Sequence, residues 1–189
     1  MAAPTVAATG LTYADLLALP ESGVRRELVD GRLIVSPSPS PDHQEVAIRL
    51  IRLLSDHADA HGGKVFTAPL DVFFTDGRVL QPDVCYLGPA RLGQVQGQRL
   101  VAPPDLIVEV SSPSTRTHDL VVKRALYEAG GVPEFWLVDL EAQRVEAYRH
   151  DGRGYRHPRL VGRGESLRAD VLPGAALLVD DVLGRDADG

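Results

Sequence analysis

The chain has almost no cysteine. Cys85 is the only one in 189 residues, so no disulfide forms within a chain, which suits a reducing cytoplasm. No apolar run approaches the length needed to span a bilayer. The first ten residues lack both a basic region and a sustained apolar core, so they do not read as a secretory signal. The expectation is a cytoplasmic protein with no membrane partner. Positive charge is also in deficit. Lysine and arginine total 20 against 26 aspartates and glutamates, a formal net charge of −6. That counts against tight non-specific nucleic-acid binding, which depends on neutralising phosphates. A local basic surface stays open, because Arg91, Arg99, Arg116, Lys123 and Arg124 lie near one another along the chain. Asp180, Asp181, Asp186 and Asp188 make its end acidic. A phosphate-binding Walker loop, a dinucleotide fingerprint, Cys/His zinc spacing and a Gly-x-Ser-x-Gly elbow are all missing. Ser111 and Ser112 have no evident histidine partner in their sequence context, so a serine hydrolase has little support.

What is present fits one globular domain, with 44% hydrophobic and 24% charged residues. Residues 1–10 are expected to be a loose leader, 11–183 a single domain and 184–189 an acidic tail. Thr12 and Asp15 have capping-box spacing before a short helix over about Tyr13–Leu19. Two strands, about Arg25–Val29 and Arg32–Val35, flank Asp30-Gly31, a tight-hairpin signal. Ser40 and Pro41 open a long helix that runs to about His61, with Val46, Leu50, Leu53 and Leu54 on its apolar stripe. Strands are expected near Lys64–Thr67, Leu70–Phe74, Val79–Leu80 and Asp83–Leu87. The Pro89–Val101 stretch then reads as a loop. Leu106–Val110 reads as a strand covered on both faces. A loop over Ser112–Thr117 precedes a helix over about Leu120–Ala129 capped by Asp119. Further strands fall near Glu134–Val138, Arg144–Arg149, Tyr155–Leu160 and Ala175–Val179.

Glu109 stands out, because it is a carboxylate inside an otherwise apolar strand. An unpaired buried carboxylate is costly, so a cation is expected beside it: Lys123, a metal ion, or both. Asp83 begins the preceding strand of the expected core. Two carboxylates joined by substrate oxygens are a common way to hold Mg²⁺. Each residue also has a plainer reading. Asp83 suits a solvated strand start, Glu109 a structural ion pair, Lys123 an exposed helix lysine, and Glu27 a hairpin partner of Arg25 or Arg32. His43, in the first turn of the long helix, is either an anion contact or a surface histidine.

These motifs form an ordered series. Arg-Arg-Glu-Leu-Val-Asp-Gly-Arg-Leu is followed by Ser-Pro-Asp-His-Gln, Gln-Pro-Asp-Val and Pro-Asp-Leu-Ile-Val-Glu-Val-Ser-Ser-Pro-Ser-Thr-Arg. Then come Asp119, Lys123 and Tyr127, Gly-Val-Pro-Glu-Phe-Trp-Leu-Val-Asp, and Leu172-Pro173-Gly174. From about Leu11 to Leu183 the series resembles the Uma-type putative restriction endonuclease family, itself similar to the PD-(D/E)xK nucleases. The resemblance implies an α/β (mixed α+β) fold with a central mixed β-sheet flanked by helices and additional hairpins. It also implies Mg²⁺-dependent phosphodiester hydrolysis. By position, Asp83 and Glu109 would be the acidic metal ligands, joined by the main-chain carbonyl of Val110. Glu27 would be the early glutamate, and His43 an auxiliary residue. The superfamily pattern places lysine two residues after Glu109. Here that position is Ser111, and the lysine matching the family lies on the next helix as Lys123. The implied cofactor is Mg²⁺, with Mn²⁺ able to substitute, and the implied substrate is DNA. A homodimer is expected by analogy with nucleases that cut two strands. Two other readings stand beside this one: a catalytically silent nuclease-fold module that binds a protein or nucleic acid, and a phosphoesterase acting on small molecules.

Overall fold

The computed structural model describes residues 4–20, 23–111 and 116–184. In chain order the elements are β1 (Thr5–Ala8), α1 (Tyr13–Ala18), β2 (Arg25–Val29), β3 (Arg32–Ser36), α2 (Pro41–His61), β4 (Lys64–Thr67), β5 (Asp71–Thr75), β6 (Arg78–Leu80) and β7 (Val84–Leu87). There follow β8 (Val95–Gln96), β9 (Arg99–Leu100), β10 (Leu106–Ser111), α3 (Arg124–Ala129), β11 (Glu134–Asp139), β12 (Arg144–Arg149) and β13 (Arg159–Gly162). The short β14 (Ser166–Leu167), β15 (Leu177–Leu178) and α4 (Val179–Leu183) close the described chain.

Two sheets organise these elements. One has the order β13-β12-β11-β10-β7-β4 and is mixed: β10 runs parallel to β11 over six residue pairs, and its other neighbour contacts are antiparallel. The parallel pair needs a crossover, and the helical segment ending in α3 supplies it. The second sheet has the order β1-β3-β2-β6-β5-β9-β8. The chain leaves it at the end of β6 and enters the first sheet at β7, through Gln81-Pro82-Asp83. Asp83 therefore sits at the seam between the sheets.

Strand periodicity divides the core. Leu106, Val108 and Val110 of β10 face α2, whose Val46, Leu50, Leu54 and Ala58 recur every fourth residue. Ile107 faces the other way, into a cluster with Leu126, Tyr127, Phe135 and Leu137 from the crossover side and Val72, Leu80 and Leu100 from the second sheet. Each fully buried leucine contributes roughly 1.5–3 kcal/mol relative to exposure. Glu109 has the parity of Ile107, so it points toward the crossover and away from α2.

Local signals explain the boundaries. Ser40 Oγ accepts from the His43 N–H at 3.2 Å, Pro41 opens α2, and Gly62 ends it in the left-handed region. Thr12 and Asp15 complete the capping box. Asp30 and Gly31 both have positive φ, as the tight β2–β3 hairpin requires.

Five expectations need correction. The described part of the loose leader includes β1, which pairs antiparallel with β3. The Pro89–Val101 loop contains a 3₁₀ turn over Pro89–Gln94 and the β8–β9 pair. Asp119 does not cap the crossover helix. It lies inside a π-helical turn, His118–Lys123, closed by an Arg124 N–H to Asp119 carbonyl bond. The strand over Tyr155–Leu160 begins only at Arg159, with Tyr155 making an isolated bridge to His150. The last strand shrinks to Leu177–Leu178 because Val179, Val182 and Leu183 bury themselves as the helix α4. Most of the Ser112–Thr117 loop, with residues 112–115, and tail residues 185–189 lie outside the described residues. No helix among the described residues is long and apolar enough to cross a membrane.

Candidate active site

A cavity of about 330 Å³ opens at the seam between the sheets. Its wall includes Arg25, His43, Asp83, Glu109, Val110 and Lys123. Glu27 lies directly behind it, fully buried. The structure thus brings together every side chain singled out from the sequence. Glu27 comes from β2, His43 from the first turn of α2, and Asp83 from the crossing between sheets. Glu109 comes from the end of β10 and Lys123 from the π turn.

The contacts are specific. Asp83 Oδ2 accepts from the Val110 N–H at 2.7 Å and lies 3.0 Å from His43 Nε2. Asp83 Oδ1 takes Arg25 Nη1 at 2.6 Å. Lys123 Nζ sits 3.0 Å from both Glu27 Oε1 and Glu109 Oε1, and 4.0 Å from Asp119. Glu109 Oε1 also accepts from the Tyr127 hydroxyl at 2.5 Å. Glu27 Oε1 accepts from the Gln81 N–H at 2.8 Å. Arg25 Nη2 spans Glu27 Oε1 and Glu109 Oε2, at 3.4 Å each. Glu27 Oε2 is buried and has no hydrogen-bond partner among the described residues.

These contacts set the protonation states. Burial opposes charge on Asp83, but Arg25 and His43 outweigh it and hold the carboxyl far below the usual range. Burial pushes Glu109 up to about 7, reinforced by Asp83 and opposed by Lys123 and Arg25. Burial and Arg25 favour loss of the Lys123 proton, yet Glu109 and Glu27 prevail and raise its pKa. Lys123 is therefore a fixed cation. Burial pulls His43 down, but the hydrogen bond and charge of Asp83 raise it overall.

Four buried carboxylates (Glu27, Asp83, Glu109 and Asp119) face two permanent cations, Arg25 and Lys123. Glu109, raised to about 7, can carry a proton, and His43 is raised by Asp83, so the net charge of the cluster varies with pH. Among the described residues no group of three or more His, Cys, Asp or Glu side chains is arranged to hold a metal ion. The three carboxylates at the cavity close round the Arg25 guanidinium instead. The donor chemistry nonetheless suits a divalent cation: hard carboxylate oxygens, more carboxylates than permanent cations, and a buried oxygen on Glu27 with no hydrogen bond among the described residues.

The sequence names Arg25 only as a hairpin partner of Glu27, a contact present here at 3.4 Å, and Tyr127 only as a member of the motif series. Arg25 precedes Glu27 by two residues and so shares its strand face, and Tyr127 follows Lys123 by four and so shares its helix face. Those two spacings are the signals that identify them. The arginines that left a local basic surface open are engaged one by one. Arg91 pairs with Asp105, Arg116 with Asp139 and Glu146, and Arg124 with Glu128, while Arg99 stacks over Tyr13 and Phe73.

A family model described as "Uma2: Putative restriction endonuclease" matches residues 13–180. Among solved structures the chain is similar to the "Crystal structure of a putative nuclease belonging to DUF820 from Anabaena variabilis ATCC 29413". The TM-score is 0.79 at 19% identity, over 92% of this chain and 97% of that one. At that identity the likeness shows the fold. No curated protein matches the chain.

Proposed function

The chain belongs to the Uma2 family of restriction-endonuclease-like proteins, and from that premise we propose that it is a metal-dependent endonuclease hydrolysing DNA phosphodiester bonds. The observation that carries this reading is the convergence of buried carboxylates from β2, the seam and β10 on one cavity that also holds a fixed lysine. A purely structural ion network gains by matching its charges, since unpaired buried charge is expensive. Here carboxylates outnumber the permanent cations Arg25 and Lys123, an arrangement that a divalent cation would complete.

Asp83 and Glu109, with the main-chain carbonyl of Val110, would hold Mg²⁺, and Mn²⁺ would substitute. The ion would lower the pKa of a bound water and offset charge on the scissile phosphate. Lys123 is held protonated by two carboxylates, so it serves as a fixed positive charge for the developing phosphorane and does not act as a base. Glu27 fixes the height of Lys123 and orients water at the same edge. His43, held by Asp83 at the cavity wall, is placed to carry a proton to or from a group bound there.

The test is cleavage of plasmid and single-stranded DNA with Mg²⁺ or Mn²⁺, run beside EDTA and beside folded Glu109→Gln and Lys123→Ala. Cleavage that disappears in EDTA and in both variants supports the assignment. Cleavage retained by Glu109→Gln sinks it. A folded wild type that neither cleaves nor binds metal points to a silent binding module.

A further inference from the structure

We propose that Arg25 is a resident cation of this site that gives up its place when a divalent metal ion binds. The proposal rests on the metal-dependent reading above and adds the order of events within the site.

The first ground is which oxygens are engaged. Asp83 Oδ2 is committed to the Val110 N–H and His43, and Glu109 Oε1 to Lys123 and Tyr127. Asp83 Oδ1 and Glu109 Oε2 remain, and among the described residues each is held by Arg25. An incoming ion that uses both aspartate and glutamate must take those two oxygens. Arg25 and the metal ion therefore compete for the same atoms.

The second ground is the unequal hold on the two cations. Lys123 is 2% exposed and sits between two carboxylates at 3.0 Å. Arg25 is 21% exposed, two of its three carboxylate contacts are stretched to 3.4 Å, and its buried Nε has no hydrogen-bond partner among the described residues. Arg25 is the more loosely held of the two. It also lines the cavity beside Pro37 and Ser38, so its flexible side chain has space into which to withdraw.

The third ground is charge. A divalent ion on Asp83 Oδ1 and Glu109 Oε2 would supply two positive charges where Arg25 supplies one. The guanidinium is then no longer required as a counter-ion, and it faces the ion at short range. Like charges at such a distance in a poorly solvated site repel strongly. Withdrawal of Arg25 relieves this repulsion.

Competition lowers apparent metal affinity by the fraction of molecules in which the oxygens are accessible. The experiment is titration calorimetry of Mn²⁺ into the wild type, Arg25→Gln and Arg25→Lys, with folding checked by circular dichroism. It is joined by ¹H–¹⁵N spectra of the wild-type Arg25 Nε–H during Mg²⁺ addition. Arg25→Lys keeps the charge but cannot fork across Asp83 and Glu109, so it separates displacement from simple repulsion. Both variants are expected to bind Mn²⁺ about tenfold more tightly or better. In the wild type the Nε–H should shift and exchange faster as Mg²⁺ saturates. Wild-type affinity in Arg25→Lys together with an unmoved Nε–H overturns the proposal. If the variants fail to fold, the wild-type spectra alone decide it. Metal binding by no form of the protein overturns the metal-dependent reading itself, and this proposal with it.

Discussion

Tyr127 donates its hydroxyl to Glu109 Oε1 at 2.5 Å, on the oxygen that Lys123 Nζ also approaches at 3.0 Å. Two donors on one oxygen hold the carboxylate in one rotation and leave its other oxygen toward the cavity. Tyr127→Phe deletes one of them in a fully buried place. Stability is expected to fall by about 1–3 kcal/mol. Cleavage is expected to fall by roughly 10- to 100-fold, as for partners that orient metal ligands. Urea unfolding and single-turnover cleavage measure the two effects. Unchanged cleavage would show that Glu109 is held in position without the tyrosine.

Lys123→Met removes the ammonium that sits 3.0 Å from both Glu27 and Glu109 and leaves them only the longer contacts to Arg25. Removing one partner from a buried ion pair costs roughly 3–5 kcal/mol, so this variant should be far less stable than a surface lysine replacement. Chemical denaturation at neutral pH measures it. A loss below about 1 kcal/mol, the range of exposed pairs, would mean that the lysine is much more solvated than the structure shows.

Arg116 acts at a distance. Its guanidinium joins Asp139 at the end of β11 to Glu146 on β12, at 2.7 and 2.9 Å, just before the π turn begins. Arg116→Met removes the contacts to Asp139 and Glu146, neither of which lines the cavity. It should nevertheless lower amide-exchange protection across residues 116–123 and reduce cleavage roughly tenfold by loosening the placement of Lys123. Exchange mass spectrometry, paired with cleavage assays, tests this. Lost protection with full activity would separate the anchor from the chemistry.

Glu134 gives a pH signature outside the site. Burial pushes its carboxyl up to about 7, while the Trp136 N–H, which it accepts at 2.9 Å, favours the anion. A raised carboxyl pKa means the folded state binds the proton more tightly than the unfolded state. The associated stability is complete below the unfolded pKa near 4.5 and is lost as pH rises toward about 7. Glu134→Gln can still accept from Trp136 but cannot ionise. The stability of the variant minus that of wild type should therefore climb by about 2–3 kcal/mol between pH 4.5 and 7 and level off above. A flat difference across that range would rule out this proton.

Much of this architecture is legible residue by residue. Ser40-Pro41 and Gly62 mark both ends of α2, Asp30-Gly31 marks the β2–β3 hairpin, and the apolar run at Leu106 marks a strand covered on both faces. Glu109 is conspicuous because a carboxylate in such a strand demands a partner. What escapes has physical reasons. The strands β8 and β9 are two residues long, too short to show a period. β1 is an edge strand, mostly exposed, so burial leaves no alternation in it. Arg25 reads only as a hairpin partner of Glu27, because nothing local says that the β2 strand abuts the seam where Asp83 enters. That contact joins residues 58 positions apart and exists only once both sheets are assembled.

The π turn over His118–Lys123 has a consequence for how such a protein changes by descent. A π turn carries one residue more than an α-helix needs to cover the same ground. Deleting a single residue there would let the segment relax to an ordinary helix. Everything on one side of the deletion would rotate by about 100° relative to the other. Either Lys123 would leave the carboxylates or Tyr127 and Leu126 would leave the core. Both sheets would keep their pairing. One lost codon can thus disarm the site while preserving the fold, so copies of this architecture without its lysine could arise in a single step.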